Sequence, residues 1–529
     1  MQGVIAAGGP ETAKAGADIL KLGGNAIDAA VAAAFVSFIA EIGVVHLGGS
    51  GIAHIYDSSN GRSLVYDFFS NTPGLDGNSD KPIDFAEVMI DFGATTQNFH
   101  LGRASVAVPG NIAGLCKMAE DYGRLPLKTL LQPVIDYATS GLPLTPFQAD
   151  TCKLLLPLYT HTAGMRSIFA ANGGVIGAGE HLFIPDLADT LSSLAEEGAS
   201  FARNGRLAQA IVADQTENGG LLTTTDLENY QVATPSSIRL PYRSYDLLLP
   251  PPSSTGGVLT SFTLKLLAKF NVAQYKHGST AHLQLLYEIM VATNRARIGW
   301  DKAADELSIS DAIGRFLSDT QVQTYYDEVA AAIHDKHPTP FVREPNAPNN
   351  TSHLSVMDAD GLAVSLTTTA GESAGYVVPN TGYIPNNMMG EGDLHPNGFH
   401  SRPPGQRIPT MMTPTIVLEK GQPKLVVGSG GSIRIRSAVL QVLSNLLDFE
   451  MTLNDAVNTA RVHVESGALQ CEAGFDAAEV DKLEAMGYGV NRWPTRSIYF
   501  GGAHSVSRAG NGRLVGAGDN RRGGATAYA

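Results

Sequence analysis

The sequence has few cysteines, and the three that it has indicate neither a disulfide scaffold nor a metal site. Cys116, Cys152 and Cys471 lie far apart, are odd in number and lack the close spacing of metal-binding cysteines. Internal repeats and low-complexity tracts are also absent from the sequence. We therefore expect the chain to fold around a hydrophobic core without covalent crosslinks.

Positive charge is scarce as well. Lys and Arg total 37 against 51 Asp and Glu, which gives a net charge of -14. Such a balance argues against nucleic acid or an anionic membrane as the main partner. The hydrophobic share of 43% and the charged share of 17% are typical of a globular protein.

The sequence shows neither a secretory signal nor a convincing membrane span. Residues 1–10 contain no basic segment followed by an apolar core. The longest apolar stretch, residues 27–42, contains Asp28, Ser37 and Glu41 and is too short for a confident span. We therefore expect a cytoplasmic protein, or a periplasmic or secreted one if a signal was removed.

The first two thirds of the chain show mainly helical patterns. The Gly-rich residues 47–51 have no following Lys-Ser/Thr pair, so we interpret them as a structural turn between a helix and two strands. Residues 71–102 are expected to form an irregular excursion near the mouth of an active site. The expected strands are 52–56 and 63–68, and the expected helices are 11–22, one from about 26, 111–122, 127–140, 187–197, 206–215, 258–269 and 282–300.

Strands dominate after a Pro- and Asn-rich stretch that contains Pro338, Pro340, Pro345 and Pro348. We expect this stretch to be an exposed linker that is accessible to processing. The strands expected after it are 353–357, 363–369, 415–419, 425–427, 497–507 and 513–515, and the expected helices are 437–449, 453–461 and 477–486.

Thr351 stands between this linker and the first of these strands. If the peptide bond before it were cut, one residue would carry both a hydroxyl and a free α-amine. Such an amine, with an unperturbed pKa of about 7.7 to 8, can accept the proton of its own hydroxyl. The position therefore favours an amino-terminal nucleophile.

Several separated blocks then make the sequence resemble the γ-glutamyltransferase family of N-terminal nucleophile hydrolases. The resemblance implies an α/β (α+β layered) fold of the four-layer αββα sandwich type. It also implies a precursor cut into a large chain, 1–350, and a small chain, 351–529, which together build one domain. The blocks are Gly23-Gly24-Asn25-Ala26-Ile27-Asp28-Ala29-Ala30, Pro252-Ser253-Ser254-Thr255-Gly256-Gly257, Thr351-Ser352-His353-Leu354-Ser355-Val356, Asn386-Asn387-Met388-Met389, Met412-Thr413-Pro414-Thr415 and Gly428-Ser429-Gly430-Gly431.

The resemblance also implies the catalytic residues. Thr351 would attack the carbonyl of Asn350 during maturation and an amide substrate during turnover, and Thr369 would hydrogen-bond the nucleophile. Backbone N–H groups at Gly430 and Gly431 would bind the oxyanion. This loop reads Gly-Ser-Gly-Gly-Ser where the family has Gly-Ser-Pro-Gly-Gly, which leaves its register open by one position.

Substrate recognition departs from the family pattern. Phe69 stands where the family has the arginine that binds the substrate α-carboxylate, and a phenyl ring cannot form that ion pair. Gly371 replaces an asparagine, Met388 replaces a glutamine, and Thr410-Met411 replace two serines. The acid that holds a substrate amine is expected to be Glu391, or Asp393 if the loop has shifted. The expected substrate-binding residues are thus Glu391, Asp393, Thr410, Met388 and Phe69.

Other side chains near these positions are open to two readings. Arg402 and Arg407 either supply a replacement cation or are surface charges. Phe68 and Phe69 either line an apolar acyl pocket or belong to the core. His395 and His400 have no third ligand at a recognisable spacing, so we expect no metal and no cofactor.

Three hypotheses follow. The first is a self-processing hydrolase or acyltransferase that cleaves γ-glutamyl or related small amides, as in glutathione metabolism. The second is an acylase like the cephalosporin acylases, with a changed acyl pocket, and the third is an unprocessed homologue that acts by binding. The expected partners are a small-molecule amide and the two chains of one precursor, and a homo-oligomer is compatible with the sequence.

Overall fold

The computed structural model describes residues 2–77, 81–91, 96–171, 173–341, 351–395 and 397–529. The strands in these residues are β1 Gly3–Ala7, β2 Ser50–Asp57, β3 Arg62–Phe68, β4 Ala86–Asp91, β5 Thr96–Leu101, β6 Leu142–Pro143, β7 His181–Leu182, β8 Ile238–Tyr242, β9 Tyr245–Leu249, β10 Ser352–Asp358, β11 Leu362–Thr369, β12 Thr415–Glu419, β13 Gln422–Val427, β14 Val462–Glu465, β15 Ala468–Cys471, β16 Val490–Arg492, β17 Ser505–Arg508, β18 Leu514–Ala517 and β19 Ala525–Tyr528.

Helices occupy most of the remaining chain. Among the described helices, none is long and apolar enough to cross a membrane. They are α1 Pro10–Lys21, α2 Ala26–Ala40, α3 Asn111–Tyr122, α4 Leu127–Ser140, α5 Pro146–Leu154, α6 Leu156–Tyr159, α7 Ala163–Phe169, α8 Leu187–Glu197, α9 Ser200–Arg203, α10 Arg206–Glu217, α11 Thr224–Asn229, α12 Thr255–Leu267, α13 Thr280–Glu306, α14 Ile309–Phe316, α15 Asp319–Asp335, α16 Arg434–Leu447, α17 Leu453–Asn458 and α18 Ala477–Ala485, with 3-10 turns at Arg103–Ser105, Val272–Gln274, Met388–Gly390, Ile498–Phe500 and Asn520–Arg522.

Two six-stranded sheets form the centre of the molecule. The first has the order β19-β1-β10-β11-β2-β3, and the second has the order β18-β17-β13-β12-β9-β8. Alternate residues of each strand face opposite sides, so each sheet presents one face to the other sheet and one to helices. In β1, for example, Ile5 packs towards the helices, whereas Val4 and Ala6 pack between the sheets.

Three apolar clusters separate these layers. One packs the first sheet against α1, α2 and the following helices, and a second packs the other sheet against α12, α13 and α16. The third lies between the two sheets and includes Met357 of β10 and Val426 of β13. The result is the expected four-layer αββα sandwich. Strands from before and after residue 351 are interleaved in the first sheet, and in the second sheet β8 and β9 from before it adjoin four strands from after it. The division of the chain at that residue stays a prediction.

Helix α2 is buried on every side and ends beside the start of β10. Its first turn is fixed by a capping box in which Asn25 and Asp28 satisfy each other's backbone amides. Its many alanines allow close approach to the layers around it, as the sequence predicted. The first charged side chain after the helix is that of Glu41, which is also buried.

The structure corrects three expectations. Residues 71–102 are not wholly irregular, because β4 and β5 form a hairpin there. The strand expected at 497–507 begins only at Ser505, after a 3-10 turn at Ile498–Phe500. Strands β1, β8, β9 and β19 had not been expected, because they are short and lie beside stronger helical or turn signals. Strands β8 and β9 form a local hairpin, whereas β1 pairs with the distant β19 and β9 with the distant β12.

Candidate active site

Thr351 directly precedes β10, and its side chain lies on the same side of that strand as the space between the sheets. The residue is buried, with 6% of its surface exposed. Its carbonyl oxygen accepts a hydrogen bond of 3.0 Å from Nη1 of Arg522. The bond to be cut involves Asn350, which lies outside the described residues. The cleavage therefore remains a prediction.

Thr369 ends the neighbouring strand, β11. Ser352 pairs with Thr368, so one further step of the same antiparallel register places Thr351 opposite Thr369. The Thr369 hydroxyl accepts a hydrogen bond of 3.1 Å from the Gly371 amide. The structure thus brings the two predicted threonines together by strand pairing.

The turn at residues 47–51 supports the end of β11. A side chain at Gly49 would have its first carbon 2.1 Å from the carbonyl oxygen of Thr369. Only glycine allows the backbone to approach so closely, which agrees with the structural interpretation of this turn.

A small cavity of about 30 Å³ joins the two threonines to the predicted substrate-binding side chains. This volume holds about one or two water molecules. The wall combines hydroxyls, two carboxyls and apolar groups. Its members are Phe69, Thr351, Thr369, Glu391, Asp393, Leu394, Thr410, Met411, Met412, Ser432 and Ile435.

A larger cavity of about 350 Å³ lies among α3, α9, α10 and α11, outside this group. Tyr230 lies on its wall and donates a 2.7 Å hydrogen bond to the carbonyl oxygen of Phe69. The two cavities are therefore neighbours separated by Tyr230 and Phe69. We assign the chemistry to the smaller one, because it alone has both threonines and both predicted acids on its wall.

Burial raises the pKa of both carboxyls of the small cavity. Burial, with the nearby Glu372 and Asp393, raises the pKa of Glu391 well above its ordinary value. Burial also raises the pKa of Asp393, although a 2.6 Å hydrogen bond from Ser432 and the charge of Arg434 oppose this effect. Burial thus favours the protonated form of each acid, and a bound cation would favour the ionised form.

Gly371 makes room for Glu391. A carbon added to Gly371 would lie 2.1 Å from Oε1 of Glu391 and 2.1 Å from Oδ1 of Asn387. The φ angle of Gly371, +67°, also favours glycine. The asparagine of the family pattern is therefore replaced by a residue that lets the acid approach the backbone.

Phe69 forms part of the cavity wall, with only 1% of its surface exposed. Its neighbour Phe68 instead packs in the helix-side core, against Gly114. Phe69 therefore lines the cavity, and Phe68 belongs to the core.

Neither arginine considered as a replacement cation lies on the cavity wall. Arg407 donates hydrogen bonds to the carbonyl oxygens of Phe69 and Gln231 and to the hydroxyl of Tyr230. Its guanidinium therefore braces the backbone behind Phe69. Arg402 is partly exposed and lies outside the wall.

The two histidines of the same loop do not converge on one point. His395 hydrogen-bonds the carbonyl oxygen of Met388 at 3.0 Å, and His400 hydrogen-bonds that of Ala104 at 2.9 Å. Within the described parts of the chain, no cluster of three or more metal-ligating side chains is found.

Met388 and Thr410 differ in their relation to the cavity. Thr410 lies on the wall, and its hydroxyl accepts a 3.3 Å hydrogen bond from the Met412 amide. Met388 is fully buried behind Phe69, where its sulfur accepts a 3.1 Å hydrogen bond from Ser70. It shapes the site through Phe69 and is not itself on the wall.

The glycine loop lies between β13 and α16. The Gly430 amide is directed at the carbonyl oxygen of Gly502, at 3.4 Å. In the described part of the chain, the amides of Gly431 and Ser432 donate no hydrogen bond, and Ser432 is on the cavity wall. Which amides of this loop would bind an oxyanion stays a prediction.

Sequence reasoning missed two buried charged residues near the start of β10, Glu41 and Arg522. Glu41 accepts a hydrogen bond from Ser352, and Arg522 donates to Thr351. In the sequence, Glu41 only interrupts the apolar stretch of residues 27–42. A lone acid in such a run is itself a signal, because an acid is seldom buried without a partner.

Comparisons with known proteins agree with this picture. Residues 12–529 match a family model described as gamma-glutamyltranspeptidase. The chain is 32% identical over 520 residues to the acylase ACY 1 proenzyme of Pseudomonas sp. (strain SE83), covering 98% of this chain and 91% of that protein. It is 30% identical over 548 residues to the glutathione hydrolase proenzyme of Bacillus subtilis (strain 168), covering 99% and 91%.

A solved structure extends this likeness to three dimensions. The cephalosporin acylase from Bacillus halodurans matches with a TM-score of 0.84 and 25% sequence identity. The match covers 100% of this chain and 96% of that one. The similarity therefore includes the helical layers as well as both sheets.

Proposed function

Because the chain belongs to the γ-glutamyltranspeptidase family and is a hydrolase of that family, we propose that it is a self-processing amide hydrolase with Thr351 as its nucleophile. The observation that carries this proposal is the meeting of Thr351, Thr369 and the two acids around one cavity. The names of the relatives, acylase proenzyme and glutathione hydrolase proenzyme, support a precursor that matures by cleavage.

Maturation follows from acyl chemistry. The Thr351 hydroxyl attacks the carbonyl carbon of Asn350, and the peptide nitrogen leaves as the Thr351 amine, which gives an ester. Water then hydrolyses the ester, so that Asn350 ends in a carboxylate and Thr351 begins the small chain.

Turnover uses the same hydroxyl. The α-amine of Thr351 takes the hydroxyl proton as the oxygen attacks an amide carbonyl, and it returns the proton to the leaving amine. Water, or an acceptor amine, then releases the acyl group from the threonine. Thr369, opposite Thr351 in the strand register, is placed to hydrogen-bond the nucleophile.

The oxyanion would be stabilised at the glycine loop. The amides of Gly431 and Ser432 would bind the oxyanion, because the Gly430 amide is directed at the carbonyl oxygen of Gly502. Helix α16 begins just after this loop, and its positive end favours developing negative charge.

The acyl pocket supports an acylase more than a γ-glutamyl hydrolase. The wall carries Phe69 instead of a cation, and Leu394, Met411, Met412 and Ile435 add apolar surface. A substrate α-carboxylate would lose its hydration here without gaining an ion pair, which is costly. We therefore propose an acyl group that is largely apolar and lacks an α-carboxylate.

A γ-glutamyl substrate remains the second candidate, because Glu391 and Asp393 lie where a substrate amine would be held.

Two measurements test these proposals. Intact-mass analysis should show two chains, with the small chain starting at Thr351. A panel of p-nitroanilides with apolar, glutaryl and γ-glutamyl acyl groups should show highest kcat/KM for the apolar acyls. A clear preference for γ-glutamyl anilide would contradict the acylase assignment, and a single uncut chain would contradict the mechanism.

A further inference from the structure

Glu41 lies at the end of α2 with both carboxyl oxygens engaged by hydroxyl groups. Thr12 of α1 donates a 2.7 Å hydrogen bond to Oε1, and Ser352 of β10 donates a 2.5 Å hydrogen bond to Oε2. Only 1% of the residue is exposed. The acid therefore joins two parts of the chain that are 340 positions apart in the sequence, at the residue next to the nucleophile.

The surrounding backbone is shaped to admit this carboxyl. A carbon added to Gly8, in the turn between β1 and α1, would lie 2.2 Å from Oε2 of Glu41. Glycine at this position thus leaves the space that the carboxyl fills. The placement of Glu41 is therefore fixed by close packing as well as by hydrogen bonds.

An opposite charge completes the arrangement. Arg522 donates a hydrogen bond to the Thr351 carbonyl oxygen, and its positive charge also acts on Glu41. The charge of Arg522 lowers the pKa of Glu41, and the charge of Glu11 raises it. Residues Thr351 and Ser352 thus contact a buried guanidinium and a buried carboxyl, respectively.

From this geometry we propose that Glu41 is a positioning residue, which acts through Ser352 to anchor the amino terminus of the small chain and to set the pH range in which the Thr351 amine works as a base. This inference rests on the proposed role of Thr351. It adds a residue of the large chain that does not touch the substrate.

The physical reason is a balance of charges. An ionised carboxylate near an α-amine favours the protonated ammonium, which cannot act as a base, whereas the Arg522 cation opposes this effect. Burial raises the pKa of Glu41 to about 6, although Ser352 and Thr12 counteract it. Above that pH the carboxylate is ionised and holds the amine in its charged form to a higher pH.

A purely structural bridge would not need this charge. A buried carboxylate costs more free energy than a buried amide of the same shape. Replacing Glu41 by Gln keeps the size and one acceptor oxygen for Ser352, and it removes the ionisable group. The amide NH2 then faces Thr12, whose hydroxyl can accept a hydrogen bond in place of donating one. The variant therefore separates anchoring from charge.

The test compares the pH profiles of Glu41→Gln and of the matched control Glu11→Gln, which removes a nearby carboxylate that does not contact Ser352. Profiles of kcat/KM are recorded with the anilide that the processed wild type hydrolyses fastest. We expect the acid limb of Glu41→Gln to move down by about one pH unit, so that the variant gains activity on the acid side. Glu11→Gln should keep the wild-type limb.

A second readout needs no substrate. The rate at which formaldehyde and cyanoborohydride methylate the Thr351 α-amine is followed across pH by mass spectrometry of the small chain. The midpoint of this titration should fall by the same amount in Glu41→Gln. If Glu41→Gln yields no folded protein, Ser352→Ala serves instead, with a smaller shift in the same direction.

The inference is overturned if the limb and the methylation midpoint of Glu41→Gln match those of the wild type, or if Glu11→Gln shifts them equally. Thr351→Ala separates this failure from a failure of the proposed function. Activity in Thr351→Ala would refute Thr351 as nucleophile, whereas an inactive Thr351→Ala with unshifted Glu41→Gln would refute only the role of Glu41.

Discussion

The two sides of the small cavity are built in different ways. On the nucleophile side, Thr351 and Thr369 are placed by the pairing of β10 with β11, so their positions depend on backbone hydrogen bonds. On the acyl side, Phe69, Glu391 and Thr410 come from connecting segments. Loop side chains tolerate replacement better than strand register does. One scaffold can therefore keep the reacting residues, which strand pairing places, while substitutions in the connecting segments change the acyl group that it binds.

Thr351→Ala tests the nucleophile side most strongly. Loss of the hydroxyl should prevent chain cleavage and lower turnover by about 10⁴-fold or more, because no other group of the cavity is a nucleophile with its own amine. Intact mass and anilide hydrolysis measure the two effects, and Thr351→Ser should retain both. Cleavage that persists in Thr351→Ala would mean that another nucleophile or another protease cuts the linker.

Phe69→Ala tests the acyl side. Loss of the ring should lower kcat/KM for apolar acyl anilides by about 10- to 200-fold, because contact with the acyl chain is lost. Small acyl groups should be affected less. Phe68→Ala is the control, since Phe68 packs in the core and its loss should lower stability without changing the order of substrates. A substrate order that Phe69→Ala leaves unchanged would remove Phe69 from the acyl pocket.

Thr369→Val returns to the nucleophile side with a smaller change. It keeps the shape but removes the hydroxyl, and we expect both cleavage and turnover to slow by about 10-fold. Thr368→Val is the matched control, because Thr368 faces the helix side of the same strand. Equal slowing in both variants would indicate a general effect on β11, not a role at the site.

Glu391→Gln is expected to change activity least, because it keeps the size of the side chain and burial raises the pKa of Glu391 well above its ordinary value, which favours the neutral form. Its effect should appear in stability. The pKa of Glu391 in the folded chain is raised above its value in the unfolded chain, about 4.5, so the free energy of unfolding falls as the pH rises from the unfolded towards the folded pKa. Thermal unfolding from pH 5 to pH 8 should show a smaller decline in Glu391→Gln than in the wild type. An equal decline would contradict the raised pKa.

The sequence predicted the two strands β10 and β11 for physical reasons. Thr351 and Thr369 lie at the ends of segments in which apolar and polar residues alternate. This alternation is a local signal that can be recognised without knowledge of the fold. The buried helix α2 was likewise predicted, because an apolar pattern on all sides leaves no face for solvent.

The parts that were missed depend on contacts between distant residues. The contact of Glu41 with Ser352 spans 311 positions, and no local pattern reports such a pair. Met388 was expected in the substrate site but lies behind Phe69, because substitution at a motif position preserves the place of the backbone and not the direction of the side chain. Short strands such as β1 and β19 form by pairing with strands that are distant in the sequence.

The order of strands in the first sheet has a consequence for how the enzyme ages. Strands β10, β11 and β19 come from the part of the chain after residue 350, and β1, β2 and β3 come from the part before it. A cut before Thr351 would leave two polypeptides whose strands are hydrogen-bonded to each other in one sheet, so neither could dissociate without unfolding the other. Maturation would then be a one-way event that each molecule undergoes once. Damage to either polypeptide could not be repaired by exchange with a fresh copy, and the lifetime of the enzyme would be that of the pair.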